Sequence, residues 1–129
     1  MTKLLEIRMA CVEDGIDNTG FRKISAFIKL IHENTKIAYI PTGSYRSLLG
    51  YMREKDGENI SDTDILKVAQ FMAKGEIAAF SSMTQSAPTV YRIIAELRRI
   101  NPEVYIIWGG IHAIIQPEDT IKYADAVCT

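Results

Sequence analysis

What most constrains this chain is an alternation, sustained from end to end, of short apolar runs with stretches of helical period. Leu4–Met9, Ile37–Ile40, Ile77–Ser81, Val104–Trp108 and Ala126–Cys128 read as strands. The third and fourth are nearly continuous apolar runs, as strands covered on both faces are. Between the runs, Ile24, Phe27, Ile28 and Ile31 follow the i, i+3, i+4, i+7 spacing of a helix that turns one apolar stripe toward its core. Ile65, Val68, Ala69 and Met72 repeat it, and Val90, Ile93, Ile94, Leu97 and Ile100 extend it over a longer stretch. Start signals agree: Ser61 with Asp64 resembles a capping box, Pro88 suits a first turn, and Pro117-Glu118-Asp119 places a proline and two acids where a helix dipole favours them. Strands alternating with helices imply right-handed crossovers. The expected fold is therefore α/β: a doubly wound, Rossmann-like sheet of five parallel strands in the flavodoxin-like order 2-1-3-4-5, with helices on both faces.

The 129 residues suffice for one domain, and 47% hydrophobic with 24% charged residues supports a real core. A net charge of -1 and a pI of about 6.1 provide no field that would draw the chain to nucleic acid or anionic lipid. Arg98 and Arg99 read as the wet side of a helix. No apolar run approaches the ~18 residues of a membrane span. Met1-Thr2-Lys3-Leu4-Leu5 runs into Glu6 and Arg8, which breaks any signal-peptide core, so a cytoplasmic location is expected. Cys11 and Cys128 lie too far apart in sequence for a metal knuckle and read as reduced, small core residues.

Two irregularities stand out. Glu6 and Arg8 share a face of the first strand, which is odd for a central strand unless that face is only partly covered. Five strands are also served by four helices, and the sequence stops beside a strand. Residues 1–129 are accordingly expected to be one domain excised from the N-terminal side of a larger protein. Its uncovered apolar surface is expected to associate, for example as a homodimer.

In an open parallel sheet the ligand lies beyond the carboxyl ends of the strands. The loops there are Ala10–Gly20, Pro41–Ile60, Ser82–Pro88 and Gly109–Gln116. The first contains Asp14-Gly15-Ile16-Asp17-Asn18-Thr19-Gly20, a turn-rich entry to a helix, and Ser81-Ser82-Met83-Thr84 is a hydroxyl cluster at a strand end. Gly109 and Gly110 follow a strand directly and let another group lie against the sheet edge. In the longest loop Tyr45, Leu48, Leu49 and Met52 have helical spacing, suited either to capping the crevice or simply to covering sheet surface.

Together these features resemble the cobalamin-binding domain that precedes the radical S-adenosylmethionine (SAM) domain in one large enzyme class. The resemblance covers essentially the whole chain. Its most specific stretch is Ala79-Phe80-Ser81-Ser82-Met83, the helix Val90–Ile100, Pro102, Trp108-Gly109-Gly110-Ile111-His112-Ala113, Pro117-Glu118 and Ala124-Asp125-Ala126-Val127. Among relatives it looks most like anaerobic cyclases of the magnesium-protoporphyrin monomethyl ester type. The resemblance implies that the cofactor's nucleotide tail enters a slot between sheet and helices. Ser82 and Met83 would match the family's Ser-x-Leu motif, and Gly109 and Gly110 its Gly-Gly turn. The family's first loop carries Asp-x-His-x-x-Gly, whose histidine binds cobalt. Here Asp14 and Gly15 match, Ile16 stands in the histidine position, and Gly20 falls one residue late. The cofactor-binding candidates are thus Asp14, Gly15, Ile16, Gly20, Ser81, Ser82, Met83, Thr84, Gly109, Gly110 and His112. No catalytic or metal-ligating residue is assigned. Cobalamin is expected to bind base-off without a histidine, unless His112 replaces the missing ligand.

The chain lacks a Cys-x-x-x-Cys-x-x-Cys motif, so SAM and a 4Fe-4S cluster would belong only to a downstream radical SAM domain, the expected partner. A full-length parent would be an oxidoreductase of the cyclase type or a methyltransferase. A flavin module fits poorly, because Glu13, Asp14 and Asp17 would repel its phosphate. A phosphorylatable receiver would need an aspartate where Ser81 and Ser82 stand. The alternative that remains open is a degenerate domain that binds no cofactor and serves docking or dimerisation. His32 reads as a structural residue at a helix C-terminus.

Overall fold

The computed structural model describes residues 5–13, 18–41 and 60–129. Strands β1 (Ile7–Val12), β2 (Thr35–Ile40), β3 (Ile77–Ser82), β4 (Tyr105–Gly109) and β5 (Ala126–Val127) form one parallel sheet in the order β2-β1-β3-β4-β5. The helices among the described residues are α1 (Thr19–Ile31), α2 (Asp62–Ala73), α3 (Ala87–Ile100) and two short ones, α4 (Ile111–Ile115) and α5 (Pro117–Thr120). The doubly wound α/β expectation holds.

Strand period divides the sheet cleanly, because alternate side chains point to opposite faces. Ala10, Val12, Ala78, Phe80, Ile106 and Trp108 join the apolar sides of α2 and α3 in the main core. Ile65, Ala69 and Met72 of α2 and Val90, Ile93, Ile94 and Leu97 of α3 are the buried residues there, as their spacing predicts. Each of these side chains larger than alanine, fully buried, stabilises the fold by roughly 1.5–3 kcal/mol. On the opposite face Met9 and Cys11 pack with Phe21 in a much smaller cluster, joined by the partly buried Ile7, Ile28, Ile37 and Ala79.

The local signals act as expected at three helix starts. Asp64 N–H donates to Ser61 Oγ at 3.1 Å, capping α2. Pro88 lies in the first turn of α3 and Pro117 in that of α5. Pro117 also explains why the last helical stretch is broken in two. A residue before proline is pushed out of the helical region, and Gln116 sits at φ -127°, ψ 55°.

Several expectations need correction. The first strand begins at Ile7 and runs on through Ala10-Cys11-Val12, which stay paired with β2 on one side and β3 on the other. Its odd charges lie at the amino end of the sheet: Arg8 pairs with Glu6 and its guanidinium lies 4.5 Å over the Phe71 ring. Glu6 N–H donates to the Glu76 carboxylate at 2.6 Å, so this corner is a satisfied clasp. The stretch Gly109–Gln116 is a strand end followed by α4 rather than a loop. Cys128 is exposed, since it follows an edge strand on the thinly covered face, whereas Cys11 is buried.

The largest departure is α1. It buries Phe21 and Ser25, while Ile24, Phe27, Leu30 and Ile31 are 58%, 64%, 84% and 71% exposed. Of the stripe read as core-facing, Ile24, Phe27 and Ile31 are turned outward and Ile28 is half-buried against the sheet. His32 is the structural residue expected: it caps α1, its N–H donating to the Ile28 carbonyl, and its ring contacts the Leu5 carbonyl.

Candidate functional site

Because α1 covers only part of its face of the sheet, a cavity of about 480 Å³ opens over β1, β3 and β4. That lies within the ~300–1,000 Å³ usual for ligand pockets. Strand register builds its floor in two rungs. Met9, Ala79 and Ile107 form one, and Ser81 and Gly109 continue the next beside Cys11. Phe21, Ile24 and Ile28 of α1 make one wall, and Gly110, Ile111 and Cys128 the other. Small residues sit in the middle of the floor, which is what gives the cavity depth. Glu13, Asn18 and Thr19 supply polar groups at its edge. The position is the carboxyl side of the strands, where a parallel sheet takes its ligand.

The predicted site residues divide into groups. Gly20, Ser81, Met83, Gly109 and Gly110 line the cavity. A Cβ added at Gly20 would meet nothing within 4 Å, so the space in front of α1 is open. Gly110 has φ +91°, and a Cβ there would stand 2.8 Å from Ser81 Oγ and 2.9 Å from the Ser82 backbone nitrogen. Glycine at this point is therefore demanded by the close approach of the β4 and β3 ends.

Ser82, Thr84 and His112 do not line it. Ser82 is one residue out of phase with Ser81 and faces the main core, where its Oγ accepts from Trp108 Nε1–H at 3.0 Å. The hydroxyl presented to the cavity is Ser81's, with Met83 two positions on. Thr84 is exposed and opens a single 3₁₀ turn over Thr84–Ser86. His112 is buried on the sealed side, its Nε2 3.1 Å from the Tyr91 hydroxyl. His112 thus faces away from the cavity, and His32 lies at the other end of the sheet. Asp14, Gly15 and Ile16 fall outside the described residues, as does the apolar set Tyr45, Leu48, Leu49 and Met52.

The electrostatics are those of a weakly polar slot. Burial pushes the Glu13 carboxyl above its ordinary range. Burial, with Glu13 adding to it and Arg22 opposing, pushes the Cys11 thiol up to about 12, so that it is an inert core group. No cluster of metal-ligating side chains occurs among the described residues. The apolar lining from Met9, Phe21, Ile24, Ile28 and Ile107 forms no sequence motif. The alternation of β1, β3 and β4, once set in register, contains it.

Fold and cavity define a ligand-binding α/β module whose site lies between α1 and the open face of a parallel sheet. A family model, described as the B12 binding domain, matches residues 45–129, more than half of the chain. The chain belongs to the B12 binding domain family. The match spans β3, β4 and β5 with their helices and begins beyond β1, α1 and the loop in which Ile16 stands in the histidine position. Neither the curated proteins nor the solved structures contain a match. No helix among the described residues is long and apolar enough to cross a membrane.

Proposed function

We propose that this domain binds cobalamin base-off and without a histidine ligand. In this reading the nucleotide tail occupies the cavity between α1 and the sheet. Membership of the B12 binding domain family supports the choice of cofactor. The observation that carries the binding mode is the cavity floor: Ala79, Ser81 and Gly109 leave a deep apolar slot with one hydroxyl near its end. A flat, largely apolar base fits that lining better than a phosphate would. Ser81 supplies a hydrogen bond, Gly109 leaves room, and the α1 side chains Phe21, Ile24 and Ile28 exclude water from the other side. Bound cobalamin would contribute a cobalt centre capable of electron or alkyl transfer. The chain's own residues hold and orient it.

Absence of a histidine ligand is supported by the chain's inventory. It has two histidines, neither of which lines the cavity, and isoleucine at position 16 cannot ligate a metal. The test is to mix the chain with cobalamin, reduce it to the cobalt(II) form, and record the visible and electron paramagnetic resonance spectra. A base-off spectrum without axial-nitrogen splitting is expected. Nitrogen splitting would overturn the binding mode.

The further proposal, resting on the sequence resemblance, is that the module serves a radical SAM enzyme of the cyclase or methyltransferase kind. SAM and the 4Fe-4S cluster would be held by a separate domain. The outward stripe of Ile24, Phe27, Leu30 and Ile31 supports an apolar partner surface of this kind. The same stripe favours the second reading, a domain that only docks or dimerises. An unchanged cobalamin spectrum on mixing would decide for it.

A further inference from the structure

His112 presents a problem that its surroundings do not solve. It is 4% exposed, and its Nδ1 has no hydrogen-bond partner among the described residues. A buried nitrogen left unpaired costs stability, and a phenylalanine there would avoid that cost. Yet the ring sits at a junction. Its Nε2 meets Tyr91 Oη of α3 at 3.1 Å, and its face lies 5.3 Å from the Trp108 ring of β4. Tyr91 also packs edge-on against Trp108 at 5.3 Å, and Trp108 Nε1–H donates to Ser82 Oγ of β3. Four elements are therefore fastened together by one aromatic and polar array.

This array lies directly behind the cavity wall. Ser82 and Trp108 face the sealed side, and their chain neighbours Ser81 and Gly109 face the cavity. Helix α4, which carries His112, starts immediately after Gly110, and the Gly110 carbonyl accepts the Ile114 N–H at 3.2 Å. A shift of the imidazole would be felt by the Gly110 turn, whose backbone packs so closely on the end of β3 that a Cβ added there would stand 2.8 Å from Ser81 Oγ.

We propose that His112 is a positioning residue for the cofactor cavity: through Tyr91 and Trp108 it fixes, from the opposite side of the sheet, the Ser81 and Gly109–Gly110 wall against which the ligand lies. This rests on the cobalamin reading above for the identity of the ligand, not for the device. The device works with the neutral ring, because a protonated His112 would carry an Nδ1–H with no acceptor among the described residues. The ionisable groups around it are Tyr91 from α3, Asp119 from α5 and Tyr123 just beyond, with Lys122 paired to Asp119. From β3 and β4 come Ser82 and Trp108, which do not titrate in this range. Burial lowers the proton affinity of His112, and Asp119 offsets part of that.

The test uses the whole 129-residue chain in a Glu13→Gln background, which removes the carboxylate that lines the cavity among the described residues. Cobalamin is titrated by absorbance from about pH 8 to about pH 5 against wild type, His112→Phe, His112→Gln and Tyr91→Phe. His112→Phe should melt no lower than wild type yet bind roughly three- to tenfold more weakly at neutral pH, with a flat pH profile. Tyr91→Phe should weaken binding similarly, and His112→Gln, which can still reach the Tyr91 hydroxyl, should restore most of it. Wild-type affinity and pH profile in folded His112→Phe would overturn the proposal. A second arm needs no ligand. Trp108 is the chain's sole tryptophan, so its emission reports His112 protonation, and the Gly109 and Gly110 amide resonances report the wall. Those resonances should move with that titration and with His112→Phe, and if they stay fixed the proposal fails. If they move while wild type binds no cobalamin, the cofactor reading fails and the positioning device stands.

Discussion

The two faces of this sheet differ in kind. On one, α2 and α3 bury Phe80, Ile106 and Trp108 completely or nearly so, and even the polar Ser82 is satisfied there. On the other, α1 covers β2 and part of β1, leaves a slot over β1, β3 and β4, and directs Ile24, Phe27, Leu30 and Ile31 largely to solvent. The first face holds the fold together, and the second leaves room for something else. The same strands supply both, since Ser81 and Ser82 are chain neighbours on opposite sides. Stability and binding should therefore separate by residue parity along β3 and β4, and the substitutions below test that separation.

The largest effect should come from Trp108→Ala. It removes a fully buried side chain from the sealed face, and denaturant unfolding should show a loss of ~3–5 kcal/mol. Ile24→Ala on the open face should change stability by no more than about 0.5 kcal/mol. It should instead reduce any self-association seen by sedimentation. Comparable losses from the two variants would break the comparison.

Gly110→Ala should follow at roughly 1–3 kcal/mol, since it combines a φ of +91° with a Cβ 2.8 Å from Ser81 Oγ. Gly20→Ala, whose added Cβ meets nothing within 4 Å, should cost far less in the same measurement. Equal costs would mean that the β3 and β4 ends are not held together as described.

Ala79→Phe tests binding alone. Ala79 lies in the cavity floor between Met9 and Ile107, so a phenyl ring there fills the slot without entering the main core. Cobalamin affinity should fall at least ~10-fold, a loss of about 1.4 kcal/mol in binding free energy. The unfolding midpoint should barely move. Undiminished binding would place the ligand elsewhere.

The contrast between faces also explains what could be read in advance. Strand and helix positions follow from periodicity, because Ala78, Phe80, Ile106 and Trp108 declare a buried layer by their composition, and the strand order follows from the alternation of strands with helices. Periodicity identifies a stripe on α1 but not what the stripe faces, and Ile24, Phe27 and Ile31 face solvent. The same limit applies to the site. A run of two serines does not reveal which hydroxyl reaches the cavity until the register Ser81↔Gly109 is set. His112 attracted attention as a chemically able residue near two glycines. Two residues past Gly110, the helix turns it into the opposite layer, and no local sequence signal carries that information.

The smallest effect concerns the polar edge of the open face. Glu13 lies at the carboxyl end of β1 and lines the cavity, and burial raises its pKa above the ordinary 4.5. The folded state therefore disfavours the carboxylate, a penalty fully present above the folded-state pKa and absent below the unfolded value. Glu13→Gln removes it. The variant should be slightly more stable than wild type at neutral pH, and the difference should shrink as pH falls through the Glu13 titration and vanish below about 4.5. Asp125 provides the opposite sign for comparison. Burial raises it, but the Ile106 N–H and the Arg98 guanidinium outweigh that and hold it below 3.8. Its stabilisation is present above the unfolded value and is lost as pH falls through the lower folded one, so Asp125→Asn should be destabilising at neutral pH. Unfolding midpoints across pH for the two variants should thus diverge at neutrality, Glu13→Gln above wild type and Asp125→Asn below it. A Glu13→Gln curve that falls under wild type at neutral pH would mean that this carboxylate has a partner stabilising its charge, and that the edge of the cavity is more polar than its lining indicates.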